Sequence, residues 1–139
     1  MAHNPTFSAT AKAAALDAAL DVLHGGYMDF YGTVNGVGSG QPASPDVAIT
    51  DQVKAVRLPL GNPAFAPTSG GQKVANAIGS VMITTSADVR WYRLVTSAEV
   101  AVHDGSVGTI DAGCDATVGT TTFLSGTMGA CPSLVISIP

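Results

Sequence analysis

DVRWYRLVTSAEVAVHDGSVGT, residues Asp88 to Thr109, is the stretch whose reading decides the fold. β-Branched and aromatic residues crowd both sides of a short polar cluster, Thr96-Ser97-Ala98-Glu99, the pattern of two strands joined by a turn. A turn of two or four residues sets Val95 opposite Val100 and Arg93 opposite Val102. Side chains alternate along a strand, so one face carries Val89, Trp91, Val95, Val100 and Val102, and the other carries Arg90, Tyr92, Leu94, Ala101 and His103. The first face is the more apolar and is the expected core. Arg93 and Asp104 lie diagonally on that face, which predicts a partly buried structural ion pair that fixes the register.

The rest of the chain agrees with a β protein. Its 139 residues suit one domain, 1–139, with a single core. Charged residues make up 12% of it, against about 25% in an ordinary soluble domain, and Gly and Pro are plentiful. Such a balance fits many turns and apolar surface covered by partner subunits. All six Lys and Arg stand at or before Arg93, so the last third offers phosphates no cation, and no direct nucleic-acid partner is expected. MAHNPTFSAT lacks a basic segment followed by an apolar core, so no secretory signal is read there. The uncharged run from Ala116 to Pro139 is broken too often by Thr, Ser, Gly and Pro for a membrane helix of ~20 apolar residues. Synthesis in a cytoplasm and no membrane partner are the expectations. Cys114 and Cys131 lack metal-site spacing and read as buried free thiols of a reducing compartment, with a bond between neighbouring strands as the alternative.

In chain order, a short arm, 1–7, carries Phe7 as its apolar anchor. A helix follows over 8–24, capped by Ser8 or Thr10, with Leu16, Ala19, Leu20 and Leu23 at helical spacing and Gly25-Gly26 as a stop. Asp17 and Asp21 lie on its other face. Phe7, Leu16, Leu20 and Leu23 are candidate interface residues, packing either inward or against a partner. YMDFYGT then reads as a strand with Met28 and Phe30 facing one way and Tyr27, Asp29 and Tyr31 the other. NGVGSGQPASPD, Asn35 to Asp46, reads as a flexible connection. Val56, Leu58 and Leu60 share a strand face, and the Pro- and Gly-rich corner after them tucks Phe65 under the sheet. One or two strands between Val74 and Thr85, and three more around Ala116–Val118, Thr121–Leu124 and Ser133–Ile138, give about eight short strands behind one helix. The fold class is mainly β, a β-sandwich or jelly roll with one N-terminal α-helix.

Catalytic constellations are not found. Gly36-Val37-Gly38 has Gln41 where a dinucleotide fingerprint needs glycine, and no serine sits in a nucleophile elbow. His103-Asp104-Gly105-Ser106 groups an imidazole, a carboxylate and a hydroxyl, but strand neighbours point to opposite faces, so it reads as strand and turn. Asp104, Asp111 and Asp115 lack the alternate spacing of a Ca²⁺ loop. No catalytic residue, metal ligand or cofactor is assigned.

Taken together, GGYMDFYGT, LPLGNPAF, DVRWYRL, HDGSVGT and FLSGTMGACPSLVISIP resemble a group of small virion proteins of tailed bacteriophages. The resemblance runs from about Ala11 to Pro139. Better-understood members of that group are capsid cement or decoration proteins with a β-sandwich or jelly-roll core. It implies a non-enzymatic structural protein on the capsid surface of the virion. Its implied partners are the major capsid protein and further copies of itself, as a dimer or trimer. The long Asn35–Asp46 loop and the two cysteines depart from the pattern. A tail or fibre-base component, and a carbohydrate-binding or hydrolytic β-sandwich, are the alternative functions.

Overall fold

In the computed structural model, which describes residues 6–137, the chain runs α1 (Ala9–Asp21), β1 (Tyr27–Thr33), β2 (Val53–Pro59), β3 (Gln72–Val74), β4 (Val81–Met82), β5 (Ala87–Val95), β6 (Ala101–Gly108), β7 (Ala116–Thr117), β8 (Thr122–Phe123), β9 (Met128–Gly129) and β10 (Ser133–Ser137). Residues 1–5 of the expected arm, with His3, lie outside the described residues, as does Ile138. The protein is a mainly β sandwich with one N-terminal helix. Antiparallel β2-β1-β5-β6 forms one layer, and a two-residue parallel pairing of β6 with β7 leads into β7-β10-β3. β8 extends the pairing of β5, and β4 with β9 makes a separate ribbon. One apolar cluster joins Leu16, Leu20 and Leu23 to Met28, Phe30, Leu58, Tyr92, Leu94, Leu134 and Ile136.

The central hairpin is β5 and β6. Its loop is closed by Glu99 N–H to the Thr96 carbonyl and Thr96 N–H to the Val100 carbonyl, both 2.9 Å. Glu99 takes a left-handed φ of 68°, the conformation that a type I turn needs before the chain re-enters the sheet. The expected faces need correction. Arg90 is an extra residue on β5, because Tyr31 pairs with Trp91 and Gly32 with Val89; Val102 is an extra residue on β6, because Leu94 pairs with His103 and Val95 with Ala101. Each bulge reverses the alternation beyond it. The main core therefore takes Val89, Tyr92 and Leu94, while Trp91 and Arg93 stand on the outer face and Val100 is exposed. Val102, at the second bulge, packs against the main core from a partly buried position. That bulge also puts Asp104 directly opposite Arg93.

Gly105 lies opposite Tyr92, and the phenol ring crosses the space its missing side chain leaves. A Cβ there would fall 2.3 Å from the Tyr92 hydroxyl oxygen and 2.4 Å from the ring. Tyr92 is fully buried, so it has little room to retreat. Gly105→Ala is expected to destabilise the fold by about 1–3 kcal/mol through overpacking, measured by urea unfolding. A shift of a few tenths would mean that Tyr92 moves freely.

Ser8 caps α1, its Oγ accepting from Ala11 N–H at 3.1 Å. Leu16, Leu20 and Leu23 are buried in the protein's own core. As candidate interface residues these three are corrected: the helix lays its leucines on the sandwich, and they face no outside partner. Phe7, just ahead of the cap, is 74% exposed. Among the described residues no helix is long and apolar enough to cross a membrane.

Candidate functional site

The outer face of the four-stranded layer carries a ladder of alternating charge. Arg57 on β2 is the register partner of Asp29 on β1, Asp29 that of Arg93 on β5, and Arg93 that of Asp104 on β6. Arg57 grips Asp29 side-on, Nε to Oδ1 at 2.7 Å and Nη2 to Oδ2 at 2.9 Å. Arg93 grips Asp104 in the same way, at 2.7 and 2.9 Å. Arg57 also reaches Glu99 Oε2 at 2.7 Å, and Lys54 stands 3.9 Å from Asp29. Burying such charges costs several kcal/mol per ion unless each is paired and hydrogen-bonded, and two-point guanidinium–carboxylate contacts meet that condition. A one-residue slip of any strand would set a charge against an apolar neighbour, so the ladder selects the register. Hydrogen bonding to Asp104 holds the Arg93 guanidinium charged well above the ordinary arginine range, Asp29 and then Glu99 do so for Arg57, and Arg57 holds the Glu99 carboxyl below its usual range.

The connection expected to be flexible is tied down over this face. Arg93 donates from Nη1 to the Val47 carbonyl at 2.9 Å and from Nη2 to the Ser44 carbonyl at 3.4 Å, while Gln52 Nε2 holds the Gly40 carbonyl at 3.2 Å. One guanidinium thus serves both the β5–β6 register and the strap. Tyr31 and Trp91 stack with centroids 4.6 Å apart, and the Arg93 guanidinium lies 5.6 Å from the Trp91 ring. Both rings are buried. The Asp29–Arg57 half of the ladder was missed in the sequence. The available signal was Asp29 on the aromatic face of YMDFYGT, opposite the only arginine of the next strand.

His103, Asp104 and Ser106 are held by three different partners and do not converge. Asp104 is bound by Arg93, His103 Nδ1 lies 3.4 Å from the Tyr92 hydroxyl, and Ser106 Oγ accepts from Asp115 N–H at 3.1 Å. Burial pushes the His103 pKa below its ordinary value, against the opposing pull of Asp115 and Asp104. A histidine with a lowered folded pKa favours the folded state while neutral, so its contribution is present above about pH 6.5 and lost as pH falls through the lower folded value. Stability against urea is expected to drop as pH falls below about 6.5, and His103→Asn to flatten that slope. An unchanged slope in the variant would assign the dependence to other groups.

A second charged cluster joins the helix to the 63–73 corner. Lys73 is buried, with Nζ 2.8 Å from Asp21 Oδ1 and 3.1 Å from Asp17 Oδ1. Burial works against the ammonium, yet the hydrogen bonds to Asp21 and Asp17 outweigh it and raise its pKa. Thr68 donates to Asp17 from Oγ1 at 2.6 Å, and with Lys73 keeps that carboxyl below its usual range. His24 Nδ1 accepts from Ala64 N–H at 2.9 Å. The cluster clamps α1 to the sandwich, which gives Asp17 and Asp21 an internal partner. Cys114 and Cys131 are free thiols; burial pushes the Cys131 thiol up to about 11, so it is inert at neutral pH. The chain matches no protein-family model, no curated protein and no solved structure.

Proposed function

We propose that this chain is a non-enzymatic structural protein of a tailed-bacteriophage virion that binds the assembled capsid surface and stabilises it, as cement or decoration proteins do. One observation carries the reading: three of the five segments that resemble phage virion proteins supply strands of the charge ladder. GGYMDFYGT contains β1 with Asp29, DVRWYRL lies in β5 with Arg93, and HDGSVGT contains most of β6 with Asp104. The resemblance therefore covers Asp29, Arg93 and Asp104 of the ladder, while Arg57 lies just ahead of LPLGNPAF and the last segment runs through β9 and β10. Four of the six cations, Lys54, Arg57, Lys73 and Arg93, engage carboxylates of the same chain. Such use of ionisable groups suits a mechanical part, because a braced body loses little freedom on docking.

Each copy would bridge neighbouring major capsid proteins, burying about 1,000 Å² or more in total, and many symmetric copies would act together. Phe7, exposed ahead of α1, is the residue of the original interface set that remains free to touch the shell. The protein would be made in the host cytoplasm and reside on the virion surface, several copies associating. A carbohydrate-binding reading is disfavoured because the Tyr31–Trp91 stack, the obvious platform for a sugar ring, is buried. Quantitative mass spectrometry of purified particles is the test. A copy number in fixed proportion to the major capsid protein supports the reading. A handful of copies per particle replaces it with the tail or fibre-base alternative, and absence from particles overturns both.

A further inference from the structure

We propose that Asn35 is a site of spontaneous deamidation, at which the exposed turn after β1 gains a carboxylate and an isoaspartyl backbone as the protein ages. Val34 to Val37 form a two-residue hairpin turn: Val34 N–H donates to the Val37 carbonyl at 3.0 Å, and Val37 N–H to the Val34 carbonyl at 2.9 Å. Both central residues are left-handed, Asn35 at φ 52° and Gly36 at φ 75°, the conformation that favours Asn-Gly. All four residues are exposed, and a Cβ built on Gly36 would meet nothing within 4 Å. The nitrogen that follows Asn35 therefore carries no side chain to obstruct it, and the space beside it is open. Ring closure requires the Asn35 backbone to rotate out of the turn, against exposed hydrogen bonds that water can replace.

The only co-reactant is water. The Gly36 main-chain nitrogen bonds to Asn35 Cγ and loses its proton; the Cγ–Nδ2 bond breaks, and Nδ2 leaves as ammonia from a five-membered succinimide. Water then opens the ring. Cleavage at Cγ leaves an aspartyl side chain, whereas cleavage at the Asn35 main-chain carbonyl leaves an isoaspartyl link that lengthens the backbone by one atom. Neither step transfers an electron. Other positions lack these conditions. Asn4 and Asn62 precede prolines, whose nitrogens have no hydrogen to lose. Asn76 precedes Ala77, and its Nδ2 donates to the Pro63 carbonyl at 3.0 Å. Asp104-Gly105 reaches the same imide by losing water, but Asp104 is paired in the sheet with Arg93 and gripped by it at 2.7 and 2.9 Å, with Gly105 opposite Tyr92. Deamidation adds a negative charge to a chain already at −4. The new carboxylate stands in the groove that Asn35 shares with Asp88, and the isoaspartyl link disrupts the Val34–Val37 pairing.

The test is to age the full chain in mildly alkaline buffer and follow it by isoelectric focusing and peptide mass mapping. An acidic species is expected to accumulate, with the exchange of NH for O mapping to Asn35 at a rate at least about tenfold above that at Asn76. An isoaspartyl methyltransferase should label the same peptide. Mildly acidic buffer should slow the reaction, because the attacking amide nitrogen must lose its proton. Asn35→Gly keeps a residue suited to positive φ and should remain a single band. A parallel sample unfolded in guanidinium separates the folded turn from the bare dipeptide, and the native rate is expected within about tenfold of the unfolded one. A parent that stays a single band, an acidic species that persists in Asn35→Gly or maps to Asn76 or Asp104, or a native rate further below the unfolded one overturns the proposal.

Discussion

Arg93→Met is expected to cost about 3–5 kcal/mol of stability, because it leaves the Asp104 carboxylate buried without its partner. The loss has two parts. Asp104 forfeits a two-point charged contact at 2.7 and 2.9 Å, and the strap forfeits the donors to Val47 and Ser44. Adding Asp104→Leu removes the stranded charge and should recover the first part, since an unpaired buried carboxylate is worse than none. The strap contacts stay lost, so recovery is partial. In a double-mutant cycle by urea unfolding, a favourable coupling of at least about 1 kcal/mol is expected between the two positions. Strict additivity would mean that the pair contributes no mutual energy. Glu99→Ala, which removes the exposed end of the ladder, should cost less than about 1 kcal/mol, in keeping with exposed pairs.

Trp91→Ala should destabilise by about 3–5 kcal/mol, the range for removing a buried aromatic side chain. The ring is 1% exposed although it lies outside the main apolar cluster. The ring stacks on Tyr31 and lies beside the Arg93 guanidinium, so its removal opens a void on the outer face of the sheet. Because it is the only tryptophan, the parent's emission reports this site alone and should be that of an indole shielded from water. A variant melting within about a degree of the parent would place the ring at the surface and contradict the burial argument, since a surface substitution changes stability by less than about 0.5 kcal/mol.

The hairpin was legible in the sequence because both of its determinants are local: β-branched and aromatic runs, and a turn cluster between them. Its facing was only partly legible. Alternation assigns faces correctly until an extra residue intervenes, and neither Arg90 nor Val102 advertises a bulge. Met28 with Phe30, and Val56 with Leu58 and Leu60, were each grouped correctly on one face, which is the core face, because alternation holds across those positions. The Asp29–Arg57 pair was not found, since the register of β1 against β2 is set across a long connection and by no turn. Leu16, Leu20 and Leu23 gave an apolar face, but such a face does not name what covers it. Here the covering is the protein's own sandwich. β9 escaped because Met128-Gly129, unlike the equally short β7 and β8, contains neither a β-branched nor an aromatic residue.

The proposed seat of this braced sandwich is the surface of a phage capsid. That seat is tested most directly by reconstructing purified particles that contain the chain and the same particles made without it. Difference density of the size of this sandwich is expected at symmetry-related positions on the outer capsid surface, seated between neighbouring capsid subunits. Density confined to the tail, or no difference on the particle at all, would contradict it.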